Sequence, residues 1–354
     1  MNPFLSVTVL FVLTGFFLVV PIIPAIRELY RKSDAQPLLV IQKHAGEIRH
    51  FSEGFRSYVE QIKPVFEQCL SSGTTARGTL KDKAEYFVMG DSAVASIREV
   101  RKQDGECNTV VVACADLHAP GVSNFSREIY IRGKFQGGDY NHYRAILGDK
   151  DVQLGAHSIV MRWVHSVGAF SAGHDCDLNC RISSDSSIKL GTRCSFLRLN
   201  APRIELGTVV ADQNPAPQNG MATPAVPKRY LYDEDFEIPA GEIFHGNVVT
   251  RGKLIARKGS QIFGSIKSNK QMVLEDRVLV TGSVISSEHL EIGTNCSVGG
   301  PVIAEREMSI EPGVRIGTTT RQTTVSSPKI VSKENVVICG TLWAREHGEV
   351  ARHG

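Results

Sequence analysis

The sequence predicts an all-β solenoid, a β-helix of about 18 residues per coil, preceded by an N-terminal transmembrane helix and a helical neck. Three observations carry this. Glycine returns at Gly246, Gly264, Gly282 and Gly300, each 18 residues after the last. Pairs of apolar residues separated by one position recur at the same interval, and alternation by two marks a strand with one buried face. Only 7% of the 354 residues are aromatic while 32 are glycine, which suits many short strands and tight corners better than a large helical core.

The first segment is apolar. Residues 3–26 carry no charged side chain, and "FLSVTVLFVLTGFFLVVPIIPAI" is apolar on every side of a helix. About 20 such residues cross a hydrocarbon core, so residues 1–27 read as one transmembrane helix, kinked or ended by Pro21 and Pro24. No basic stretch precedes it and no small-residue cleavage site follows, which favours an anchor over a cleaved signal. Arg27, Arg31 and Lys32 then mark the membrane interface and place the rest of the chain on the cytoplasmic side of a lipid bilayer.

Residues 28–72 read as an amphipathic helical neck. Ile48, Phe51, Phe55, Val59, Ile62 and Phe66 fall at three- and four-residue steps with charged residues between them. Such a stripe needs a cover, either the repeat domain, a neighbouring copy or the membrane surface. Pro64 argues against a straight coiled coil. Residues 73–127 form a mixed segment or cap containing one strand, "TVVVACA".

The repeat occupies residues 128–207 and 236–317. Val152 and Leu154, Phe170 and Ala172, and Ile188 and Leu190 step by 18, and Ile204 and Leu206 follow two residues early. Beyond the interruption come Phe236 and Ile238, Leu254 and Ala256, Met272 and Leu274, Leu290 and Ile292, and Met308 and Ile310. These side chains are the expected structural core. Gly155, Gly173, Gly191 and Gly207 close strands, where a corner is expected to demand positive φ. Residues 208–235 are rich in proline and read as a loop thrown out from a continuous solenoid, with a tether between two stacked halves as the other reading. Residues 318–354 are an irregular tail whose terminal strand, "NVVICGTLWA", supplies a final coil or a cap.

The elements "HGNVVTRGKLIARKGSQIFGSI", "SNKQMVLEDRVLVTGSVISSEHLEI" and "GPVIAEREMSIEPGVRIG", with the apolar N-terminal segment, resemble the bactofilins, polymer-forming cytoskeletal proteins of bacteria. The resemblance covers mainly residues 235–317. It implies a right-handed β-helix, end-to-end assembly without nucleotide, and a scaffolding role beside envelope or polysaccharide machinery. With the predicted anchor it implies a single-pass protein of the bacterial inner membrane. The chain departs from the family pattern in its length, its neck and its interrupted array.

A scaffold also follows from the fold alone, because a β-helix has two open ends that must be capped or paired with another copy. Homo-oligomers through those ends or through the neck are therefore expected. An enzyme is the alternative: sugar acyltransferases use left-handed coils of this length and a histidine base, for which His165 and His174 are the candidates, with His157 near and Asp175 or Asp177 to orient them. A third reading is a lipid- or protein-binding module using the basic strip Arg251, Lys253, Arg257 and Lys258, countered by Asp233, Glu234 and Asp235.

No cofactor or metal is implied. The eight cysteines are dispersed, which favours a reducing compartment, and His174, Cys176 and Cys180 lack the second pair a zinc site needs. A net charge of +3, without basic runs interleaved with aromatics, implies no nucleic-acid partner.

Overall fold

The computed structural model describes residues 48–90, 97, 99–209 and 228–352, together with Leu13, Thr14, Phe16, Phe17 and Val20. Contacts divide the chain into Met1–Glu47 and Ile48–Gly354. In the first unit Leu13, Thr14, Phe16 and Phe17 are helical. The second unit carries everything that follows.

The membrane expectation needs correction. Among the described residues no helix is long and apolar enough to cross a membrane. The span expected over residues 1–27 lies outside the described residues except for the five named, and so do Arg27, Arg31 and Lys32. The transmembrane helix, the bilayer as a partner and the inner-membrane location therefore have no support and are dropped.

Residues 106–206 and 229–350 form two stacks of coils in parallel register; a coil of the first stack has a long strand with a bulge and a short strand, as in Asn124–Ile131 and Phe135–Gly137, and a coil of the second has three short strands, as in Leu254–Ala256, Gln261–Phe263 and Ile266–Ser268. In the first stack Leu117, Phe135, Val152, Phe170, Ile188 and Ile204 lie one above another. In the second the corresponding column is Phe236, Leu254, Met272, Leu290, Met308 and Ile330. Leu154, Leu190, Leu274, Ile292 and Ile310 fill the parallel column two residues on, and all are buried. Strands of two to four residues are unstable alone, so the ladder to the next coil and the shared core hold each one. The first stack begins well before residue 128: Cys107 pairs with Phe125 and Val111 with Ile129.

The two stacks run in opposite directions and meet at their last coils. Strand Ser195–Leu206 ends the first stack, and strand Val336–Val350 ends the second. The two pair antiparallel around the whole perimeter, with Leu199 opposite Leu342, Ile204 opposite Ile338 and Leu206 opposite Val336. One apolar core therefore runs through both stacks. At about 4.8 Å per coil the unit is a rod roughly 60 Å long. The connection after residue 207 is accordingly a link between two opposed stacks, not an excursion from a continuous one. Residues 210–227 within it lie outside the described residues.

Of the expected neck, residues 48–72 pack on the outside of the first stack, and residues 28–47 lie outside the described residues. Helix α1 (His50–Val59) and helix α2 (Lys63–Ser72) are joined by a 3-10 turn, with Pro64 in the first turn of α2. Phe55, Val59, Ile62 and Cys69 bury against the outward residues Val110, Val112, Tyr130, Ala145, Leu147 and Trp163. That wall is apolar on both faces, as a parallel sheet covered on both sides requires. Arg56 pairs with Asp149 at 2.6 Å and Arg49 with Asp185 at 2.6 Å, fixing α1 along the wall.

Of the four corner glycines only Gly207 has the expected positive φ, at 68°. Gly155, Gly173 and Gly191 do not have positive φ; a Cβ on Gly191 would lie 2.7 Å from the Gly173 carbonyl group in the coil below. Close stacking of corners excludes a side chain there. Positive φ falls two residues later, at His157, Asp175 and Arg193. Asn295, Asn335 and Gly313 meet the same demand in the second stack, whereas His157, Arg193 and Arg277 bear its cost.

Candidate functional site

The histidines proposed as an enzyme's base lie in different surroundings. His165 faces outward from strand Ile159–Ser166, beneath α1, and is only 7% exposed. Its Nδ1 lies 2.9 Å from the Ser183 hydroxyl one coil above. Burial holds its pKa below the ordinary value. His174 stands at an exposed corner, half a coil further along the chain, with Nδ1 2.7 Å from the Asp175 carboxylate.

That corner is the densest polar cluster of the first stack. Tyr140 stacks on His157 at 4.5 Å, His157 meets His174 edge to face at 5.3 Å, and Arg193 donates both Nε and Nη2 to Asp175. His157 Nε2 lies 3.9 Å from the same carboxylate. The Arg193 guanidinium holds the Asp175 carboxyl well below the usual range. His157, His174 and Asp175 bring three potential metal ligands within 4.8 Å of one another. Both carboxylate oxygens already accept from the Arg193 guanidinium, so a cation there would sit beside an existing positive charge. The cluster is a salt-bridged staple across successive coils.

His174, Cys176 and Cys180 do not converge. Cys176 and Cys180 point into the core, and the Cys176 thiol donates to the Gly155 carbonyl at 3.3 Å. Asp177 accepts from Ser195 and turns away from His174. The basic strip of the second stack is matched by acids of neighbouring coils. Arg251 pairs with Asp233 at 3.1 Å, Arg257 bridges Glu237 and Glu275 at 2.7 Å each, and Lys258 lies 3.7 Å from Asp276. A cleft of about 310 Å³ between the helices and the wall is lined by Arg56, Glu60, Lys63, Glu67, Tyr130 and Arg132, again acids among bases.

The two outer ends of the rod differ in how the core is closed. At the outer end of the first stack, strands Thr75–Thr79, Glu106–Cys107 and Leu117–Ala119 also each pair with only one strand, but Ile97 is wholly buried over the core. At the outer end of the second stack, strands Arg229–Tyr232, Phe236–Ile238 and Ile243–His245 each pair with only one strand, on the inner side. Among the described residues nothing lies against their other edge. Tyr232, Phe236 and Phe244 close over the core as an aromatic lid, with Tyr232 stacked on Phe236 at 3.8 Å. Leu231 and Ile243 are 65% and 57% exposed. Sequence reading anticipated open ends in general but missed which end is open, because that follows from the reversal at the junction.

The fold defines a class, the β-solenoids. Within it no protein-family model matches the chain, and no curated protein or solved structure does either.

Proposed function

We propose that this protein is a structural scaffold, a stiff double β-solenoid that works by joining other rods at its open end, as the resemblance to bactofilins implies. The observation that carries the reading is the unpaired edge of strand Arg229–Tyr232 beside exposed Leu231. An open edge of backbone donors and acceptors is a template for another strand. The reading is non-catalytic: His165 is engaged with Ser183 under a helix, and His174 with Asp175 at a distant corner. Light scattering and negative-stain imaging of the purified full-length chain test it. Particles made of rods joined at their ends are expected, and isolated rods at every concentration overturn it.

A further inference from the structure

Strand Arg229–Tyr232 and the residues on either side of it have a pattern that is complementary to its own reverse. The run is Lys228, Arg229, Tyr230, Leu231, Tyr232, Asp233, Glu234. Placed antiparallel to a copy of itself about Leu231, it sets Arg229 opposite Asp233, Lys228 opposite Glu234, Tyr230 opposite Tyr232 and Leu231 opposite itself. Opposite charges across a strand pair stabilise it, and so do facing aromatic residues.

The backbone is poised for the same register. Asn247 N–H donates to the Lys228 carbonyl at 2.7 Å and Arg251 N–H to the Tyr232 carbonyl at 2.9 Å. Even-numbered carbonyls thus serve the inner ladder. Because backbone groups alternate along a strand, the N–H and C=O of Arg229 and Leu231 point to the open edge. Two Leu231 residues facing each other would exchange both bonds, the closely bonded pair of an antiparallel ladder. The protein already joins two coil ends this way, since Ser195–Leu206 and Val336–Val350 pair antiparallel around the perimeter.

We infer that the occupant of the open end is a second copy of this chain, related by a two-fold axis through Leu231, with the two Arg229–Tyr232 strands paired antiparallel. The contact is isologous and uses up the open edge of both copies. Because a two-fold contact consumes the same edge on both copies, assembly through it stops at two rods laid end to end. This inference rests on the scaffold reading and adds the partner, the register and the copy number.

Charge reversal tests it in the full-length chain. Arg229, Leu231 and Asp233 are exposed, and the ion pair of Asp233 with Arg251 is a surface one. Sedimentation at up to about 100 µM, a concentration that saturates any contact tighter than about 1 µM, should give the mass of two chains. Arg229→Asp and Asp233→Arg should each raise the dimer dissociation constant at least about tenfold, by opposing like charges. The double variant should restore the dimer, since reversed charges again face opposite ones. Leu231→Cys should give a disulfide-linked pair of chains on mild oxidation, because every native cysteine is buried. Circular dichroism and the melting curve verify that each variant folds. A ladder of ever larger assemblies, failure of the double variant to recover, or no Leu231→Cys cross-link in a dimer overturns the inference and leaves the scaffold reading standing. A monomer throughout overturns both.

Discussion

Leu199, in the last coil of the first stack, lies directly opposite Leu342 in the last strand of the second, and both are wholly buried. This contact makes one core of two stacks that run in opposite directions. Leu342→Ala should cost about 2–5 kcal/mol, the range for a buried leucine truncated in a packed core. The native chain should unfold in urea as one transition for residues 48–352. Two well-separated transitions would mean that the stacks are energetically independent and the junction a weak contact.

Leu290 lies between Met272 and Met308 in the central column of the second stack. Leu290→Asp buries a carboxylate with no partner, a mechanism that produces the largest single-site losses. The expected result is loss of the native melt and protease cleavage within residues 254–310, and a sharp native transition in this variant would place Leu290 outside the core.

Gly282 donates its N–H to the Gly264 carbonyl at 2.9 Å, and a Cβ there would lie 2.5 Å from that same oxygen. Gly282→Ala must push two coils apart at a corner. A loss of roughly 1–3 kcal/mol follows from overpacking, measured as a lower urea midpoint. Gly241→Ala should behave differently: φ there is +71°, nothing lies within 4 Å of the added carbon, and only the backbone cost of about 1 kcal/mol applies.

His165 predicts a pH dependence. Burial is the main cause of its lowered pKa; Asp185 and Glu53 pull it back up, while Arg49 and Arg56 push it further down. The unfolded value of about 6.5 then lies above the folded one. As pH falls through 6.5, the unfolded chain takes up the proton first, so stability is full above that pH and declines below it. His165→Gln should remove this decline. The stability difference between His165→Gln and the native chain, followed from pH 7.5 to 5.0, should move in favour of the variant. A constant difference would show that His165 titrates normally.

All eight cysteines are buried, and burial pushes the Cys114 thiol up to about 11 and the Cys296 thiol to about 12. Since the thiolate is the reactive form, a disulfide reagent at pH 8 should label the native chain far more slowly than the urea-unfolded one. Labelling of all eight would follow unfolding. Rapid labelling of Cys114 or Cys296 in the native protein would contradict their placement.

The columns of the core were legible because each coil repeats one chemical demand at one spacing. Met272, Leu290 and Met308 each answer the same inward position, so the period survives changes of side chain. The reversal was hidden because the pairing of Ser195–Leu206 with Val336–Val350 joins segments far apart in sequence and repeats nothing. The earliest coils escaped notice since "TVVVACA" is apolar at every position after its threonine, covered inside by the core and outside by α1 and α2, which erases alternation. The neck's stripe named its buried residues without naming the wall that covers them. The corner staple was only half visible: His157, His174 and Asp175 stood out as chemistry, while Arg193, which neutralises the carboxylate, lies one coil later.

The reversal at the junction also bears on the order of events during synthesis. Leu199, Ile204 and Leu206 leave the ribosome roughly 130 residues before Val336, the first residue of the strand that covers them. At about 5–20 residues per second, that greasy rim stays uncovered for on the order of ten seconds in every nascent chain. Newborn molecules on one messenger are thus at risk of trading closing strands with their neighbours, and chaperone demand should be greatest in that interval.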